Sequence, residues 1–291
     1  MTSRPSPWAS LSPEEHEFHF NPQRAFPDFA THKLRRAPAN EGALAGLRRE
    51  AELAYGPTPR HRLDIYPAAR PGAPVHVFFH GGYWRANDKN GFAYIAAALV
   101  RHGITVAIPN YELCPDATLD GTVASARAAI AWLARHAGDH GGDPTAISLS
   151  GHSAGAHLCA AALATDWAAE GLDPAFLRGA VMTSGIYDPL PAMLTTVNQD
   201  LRLTPEIAAR NDFEHRPPVS RARAHLFVGG REPWHWIDQS FRYSHHLRRH
   251  GGDPEVHVLP GHDHFDILDQ YMAEESPILR AVLRAAGAGG A

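Results

Sequence analysis

Only two cysteines, Cys114 and Cys159, occur in 291 residues, too few for the disulfide frameworks that hold small secreted domains together. Their settings, Leu-Cys-Pro and His-Leu-Cys-Ala-Ala, match neither a metal knuckle nor a redox pair, so two free thiols in a reducing compartment are expected. Long apolar runs are missing too. No segment approaches the roughly 20 apolar residues that cross a bilayer, and no membrane partner is expected. Neither sign of charge dominates: 27 Lys and Arg stand against 31 Asp and Glu, for a net charge of −4. Without a basic field or a run of like charge, nucleic acid is not an expected partner. The opening Met-Thr-Ser-Arg-Pro-Ser-Pro-Trp leads into Pro-Glu-Glu-His-Glu rather than an apolar stretch, so no secretion leader is expected, and the cytoplasm is the expected compartment.

What the chain does have is an ordinary globular composition, 44% apolar and 20% charged, with enough length for a sizeable core. Short apolar segments alternate with helical patterns. Strands are expected at Val75 to Phe79, Ile104 to Ile108, Ala146 to Ser150, Ala180 to Ser184, Ala224 to Val228 and Glu255 to Leu259. Helices are expected at Phe92 to His102, Asp120 to His136, Ala154 to Thr165, Asp238 to Arg249 and after Phe265. Strands apolar on both faces, separated by helices, predict an α/β fold with a mostly parallel sheet covered on both sides.

The breaks are short, so one domain is expected over 1–291. Residues 1–60 read as an N-terminal extension with an amphipathic helix around Ala43 to Ala54, followed by a first strand at Arg62 to Tyr66. The proline-rich stretch at about 188–218 reads as an insertion over the C-terminal edge of the sheet, where open α/β sheets bind ligands. A lid and an inert surface excursion are both open for it.

Gly151-His152-Ser153-Ala154-Gly155 fits G-x-S-x-G in its required context of apolar strand, tight turn and small-residue helix. Flanking glycines spare the turn a clash and force Ser153 outward at a helix N-terminus, where backbone N–H groups favour developing negative charge. His80-Gly81-Gly82-Tyr83-Trp84 follows the Val75 to Phe79 strand, and its glycine loop exposes further donors. Gly81, Gly82 and Tyr83, with Ala154, are the candidate oxyanion hole.

A serine nucleophile needs a base and an acid, which in this fold follow it in the order acid, then His. His262 and His264 both lie past the last strand; His264, opening the terminal pattern with Phe265 and Ile267, is preferred. Glu232 is the first carboxylate past the penultimate strand. Asp238, its competitor, falls inside the next helix and suits a helix N-terminal charge. His262, Asp263, His264 and Asp266 could be read as metal ligands, yet no H-E-x-x-H or cysteine knuckle accompanies them, and no metal is expected.

With these motifs in view, the chain resembles the kynurenine formamidase (arylformamidase) branch of the α/β-hydrolases, a group related to the hormone-sensitive-lipase-like esterases. The resemblance rests on His-Gly-Gly-Tyr-Trp at 80–84, Gly-His-Ser-Ala-Gly-Ala-His-Leu at 151–158 and Ser-Gly-Ile-Tyr-Asp at 184–188. Gln239-Ser240, His-Phe-Asp at 264–266 and the early Asn21-Pro22-Gln23-Arg24 extend it over nearly the whole chain. It implies an α/β-hydrolase fold, a triad of Ser153, Glu232 and His264, and the loop after His80 as oxyanion hole. It thereby selects His264 over His262. One departure is Glu232-Pro233 where the group often has Asp then Ser; a longer acid is compatible with the triad.

The implied activity is hydrolysis of a small aryl formamide such as N-formylkynurenine, a step of tryptophan catabolism. Tyr83, Trp84, Tyr187, Trp234 and Trp236 are then candidate walls of the substrate pocket, each with core or lid packing as its alternative. The rivals are a carboxylesterase on short-chain acyl esters or another small amide, a catalytically silent binding module, and a metal-dependent formamidase. A small-molecule substrate is the expected partner, no organic cofactor is called for, and a homodimer is compatible with the sequence.

Overall fold

A computed structural model describes residues 7–288; the first six residues, where the reading of the leader begins, lie outside them. Three helices open the chain: α1 (Pro13–Phe20), the single turn α2 (Pro22–Ala25) and α3 (Phe29–Gly46). Strands β1 (Glu50–Ala54), β2 (Arg62–Tyr66) and β3 (Ala73–Phe79) follow, then α4 (Ala93–Val100), β4 (Thr105–Pro109), α5 (Leu119–His136) and β5 (Gly142–His152). After β5 come α6 (Ala154–Leu163), β6 (Leu177–Thr183), α7 (Asn198–Leu201), α8 (Pro205–Arg210) and β7 (Arg223–Gly229). The chain closes with α9 (Trp234–Arg249), β8 (Glu255–Leu259) and α10 (Pro277–Ala285).

The strands form one eight-stranded sheet in the order β1-β2-β4-β3-β5-β6-β7-β8. As expected, it is parallel from β4 through β8. The two strands on the β1 edge are antiparallel. Val75, Val77, Phe78 and Phe79 of β3 are all fully buried, because helices cover both faces. One apolar cluster joins α5 and α6 to one face, and the other joins α4 and α10 to the opposite face.

The N-terminal region departs from the expectation. The amphipathic helix read at Ala43 to Ala54 is instead the end of α3 followed by β1. Backbone pairing decides this: Glu50 pairs with Ile65 and Leu53 with Leu63, so the sheet edge captures a segment whose side chains would also suit a helix. An irregularity between them puts Glu52 at φ 58°, and its N–H donates to the buried Asp64 carboxylate at 2.9 Å. The first strand expected at Arg62 to Tyr66 is therefore the second.

The β3 and β5 ladder carries a buried polar pair of rungs. His76 bonds Ser148 Oγ at 2.8 Å and Ser150 Oγ at 2.7 Å, using both ring nitrogens. Complete burial pushes the His76 pKa from 6.5 down to about 3, so the ring is neutral in the fold. The unfolded chain takes up this proton near pH 6.5 and the folded chain does not, so stability is full above that pH and is lost as pH falls towards 3. Relative to His76→Gln, the wild type is expected to lose about 2 kcal/mol more between pH 6.5 and pH 5. Urea unfolding at the two pH values measures it; parallel pH curves would remove His76 from the account.

Register brings the glycine loop and the serine turn together. Phe79 pairs with Gly151, so β3 and β5 end side by side, and the loop after His80 meets the turn around Ser153. On its other side β3 pairs with β4, so the chain leaves β3 in one direction and later returns on the other. A crevice at such a switch point, beyond the strands' carboxyl ends, is where this architecture binds ligands.

Candidate active site

Ser153 sits between β5 and α6 at φ 56° and ψ −118°, a conformation that side chains other than glycine rarely adopt. The turn is that tight because its glycines permit it. A Cβ on Gly155 would lie 2.0 Å from the Phe79 carbonyl oxygen, and one on Gly151 would lie 2.2 Å from the Gly155 backbone. Gly155→Ala is therefore expected to cost about 3 kcal/mol of stability. Thermal unfolding followed by circular dichroism tests this; an unshifted melting curve would mean the turn relaxes freely. The Ser153 hydroxyl does not cap α6, and the residue lines a cavity of about 500 Å³ together with His152, His264 and Gly81 to Tyr83.

His264 stands past β8, and its Nδ1–H donates to Glu232 Oε2 at 2.7 Å. A carboxylate only accepts, which fixes the proton on Nδ1 and leaves the Nε2 lone pair to take another. Glu232, just past β7, is fully packed. Its Oε1 accepts the Ser184 hydroxyl at 2.6 Å and the Gly229 N–H at 2.7 Å. Trp236 closes this arrangement, standing edge-on to His264 with ring centroids 4.8 Å apart and donating its indole N–H to the Ser184 carbonyl at 2.9 Å. Ser153 and His264 thus both line the cavity, and Glu232 is buried behind His264. Asp238 is turned away and pairs with Arg242 on α9. His262 bonds Asp266 at 3.0 Å, and Asp263 caps the following turn through the N–H groups of Phe265 and Asp266.

The glycine loop is held from behind. Asn87 Nδ2–H donates to the Gly81 carbonyl at 3.0 Å, and His80 Nδ1 lies 2.8 Å from the same oxygen. Burial pushes His80 down to about 4, so it acts as a neutral donor. With that carbonyl fixed, the Gly82 N–H points the opposite way across the planar peptide. A Cβ on Gly81 would meet Ser153 Cβ at 3.2 Å, which shows how closely this loop approaches the serine. Ala154 is the first residue of α6, where a backbone N–H has no partner within the helix.

Two supporting residues were not singled out from the sequence. Ser184, at φ 50°, aims its hydroxyl at Glu232; its signal was a serine directly after β6, beside the acid's own strand. His152, inside G-x-S-x-G, donates from Nε2 to the His264 carbonyl at 2.7 Å. Burial and the neighbouring His264 hold its pKa well below 6.5, so it is neutral.

The expected aromatic walls are corrected. Trp84 is fully buried beneath its own loop, because positive φ at Gly82, Tyr83 and Trp84 turns the indole inward against His157. Tyr187 is fully buried and stacks on Tyr243 at 4.2 Å. Trp236 packs behind His264, and Trp234 is 62% exposed on the first turn of α9. These four do not line the cavity, whereas Tyr83, the fifth expected wall, does. Its apolar side comes instead from Phe29 on α3, Phe92, Phe265 and Leu268, with Phe29 and Phe265 packed at 5.4 Å.

The chain is similar to known proteins over much of its length. The BD-FAE family model matches residues 63–177, the segment that holds both the glycine loop and Ser153. A kynurenine formamidase from Danio rerio is 30% identical over 295 residues, covering 97% of this chain and 99% of that protein. Esterase LipQ of Mycobacterium tuberculosis is 36% identical over 151 residues, 47% of this chain and 35% of that protein. A crystal structure from Silicibacter, described as a candidate thioesterase, superposes with a TM-score of 0.80 at 25% identity, over 92% of this chain and 99% of that one.

Proposed function

The chain belongs to the kynurenine formamidase family of α/β-hydrolases, and on that premise we propose that it cleaves a small aryl formamide such as N-formylkynurenine by acyl transfer through Ser153. The observation that carries the reading is the 2.7 Å bond from His264 Nδ1 to the buried Glu232, on the same cavity wall as Ser153. His264 Nε2 takes the Ser153 proton as Oγ adds to the formyl carbon. The oxyanion that forms accepts N–H groups of the glycine loop and Ala154. The imidazolium, oriented and stabilised by Glu232, then protonates the departing aryl amine. Water repeats the addition on the formyl-serine and releases formate, returning the proton to Ser153.

The phenyl groups of Phe29, Phe92 and Phe265 support an aryl substrate, since they give a flat ring apolar contacts beside the serine. The whole chain is read as one catalytic domain, in which the 1–60 extension and the 188–218 insertion close the substrate side; α3 and Asp200 of α7 both line the cavity. No helix among the described residues is long and apolar enough to cross a membrane.

The likeness to LipQ favours a second reading, a carboxylesterase with the same machinery. Catalytic efficiency on N-formylkynurenine and on p-nitrophenyl acetate separates the two. Efficiency on the formamide far above that on the ester is expected. Hydrolysis of the ester alone would leave the esterase reading standing and end the formamidase one.

A further inference from the structure

One wall of the cavity that holds the serine belongs to one face of α3. Phe29, Ala30, Lys33, Arg36, Ala37 and Asn40 all line it, at the three- and four-residue spacing of a single helical stripe. Lys33 lies in the middle of this stripe, with Phe29 and Ala30 one turn before it and Arg36 and Ala37 one turn after. The other charges at the cavity are engaged. Arg36 donates to the Phe265 carbonyl and to Asp269 Oδ1, both at 2.9 Å. Arg85 pairs with Asp200. Asp88 accepts from the Asn90 N–H at 3.0 Å and from Asn110 Nδ2 at 2.6 Å. Lys33 forms no ion pair among the described residues.

A cation without a partner on a substrate-facing wall, one helical turn from Phe29 and the Phe265 ring packed on it, fits a ligand that is aromatic at one end and anionic at the other. We infer that Lys33 recognises a carboxylate on the substrate and sets a preference for anionic aryl formamides or esters over their neutral counterparts. The inference rests on the hydrolase reading above and adds a specificity-determining residue to it. Lys33 is exposed, so its ammonium group meets the carboxylate in contact with solvent. The preference is therefore expected to be modest and to shrink as salt is raised.

The test compares kcat/KM for N-formylkynurenine with that for its carboxamide, which lacks the negative charge, and kcat/KM for 4-acetoxybenzoate with that for phenyl acetate. Each ratio is internal to one protein preparation, so partial loss of folded enzyme does not affect it. Lys33→Gln is expected to lower the preference for the carboxylate about fivefold to tenfold, through KM rather than kcat, and Lys33→Arg to retain it. If only the ester pair is turned over and the preference still falls with Lys33→Gln, the inference stands and the formamide reading fails. An unchanged ratio in every pair that is turned over would overturn the inference, and hydrolysis of none of the four compounds would overturn both.

Discussion

Ser153→Ala is expected to lower turnover by about 10⁴-fold or more on any substrate the enzyme accepts. The size follows from what is removed. The alanine leaves the oxyanion donors and the imidazole in place, but no oxygen remains to carry the acyl group, so only water attacking directly can react. Folding is expected to survive. Ser153 is held at φ 56° and ψ −118° by close approach of Gly151 and Gly155 to their neighbours, and alanine has the same Cβ in the same conformation. Ser153→Gly removes that Cβ and with it the backbone strain, so it is expected to be equally inactive yet up to about 1 kcal/mol more stable. Steady-state kinetics beside thermal unfolding distinguish these outcomes. A Ser153→Ala enzyme within tenfold of wild type would remove the serine from the mechanism.

Glu232→Gln is expected to lower kcat by about 10²- to 10⁴-fold with little change in KM. The carboxylate accepts three hydrogen bonds, from His264 Nδ1, the Ser184 hydroxyl and the Gly229 N–H. An amide has the same shape but must present an NH2 group somewhere in this set of donors. If it faces His264, the imidazole turns to the tautomer with its proton on Nε2, which cannot receive one from Ser153. If it faces Ser184 and Gly229, two donors meet the NH2 instead. Asp238→Asn, by contrast, loses only an ion pair with Arg242 on α9, worth at most about 1 kcal/mol of stability, and activity is expected within about twofold of wild type. Equal losses from the two substitutions would exclude Glu232 as the acid.

The parts of this site that stand at strand ends were legible in the sequence. Ser153, Glu232 and His264 each follow a short apolar segment that stops at a glycine or proline, and in a parallel sheet all such stops fall on one edge. The N-terminal region was not legible, for a physical reason. The inward face of α3 carries Lys33, Arg36 and Asn40 because it borders a cavity rather than a core, so the apolar stripe that marks a packed helix is missing there. The same distinction defeated the aromatic walls. A tryptophan in the core and one in a binding site are equally apolar in sequence, and only the positive φ values of the 82–84 loop sent Trp84 inward. Phe29, Phe92 and Phe265 looked like ordinary packing residues for the converse reason.

Nine of the residues that line the cavity, from Asn21 to Asn40, come from the first 46 positions, while Ser153, Glu232 and His264 come from the last half of the chain. Hydrogen bonds fasten this stretch to the rest of the chain, among them Tyr83 OH to the Phe20 carbonyl at 2.7 Å, Arg36 to the Phe265 carbonyl and Asp269 at 2.9 Å, and Asn40 Nδ2 to the Asn90 carbonyl at 2.7 Å. One side of the vestibule is thus carried by a single short stretch of chain. Exchanging that stretch while keeping its bonds to the rest would give the same serine a differently shaped entrance without touching the strand ends on which it stands.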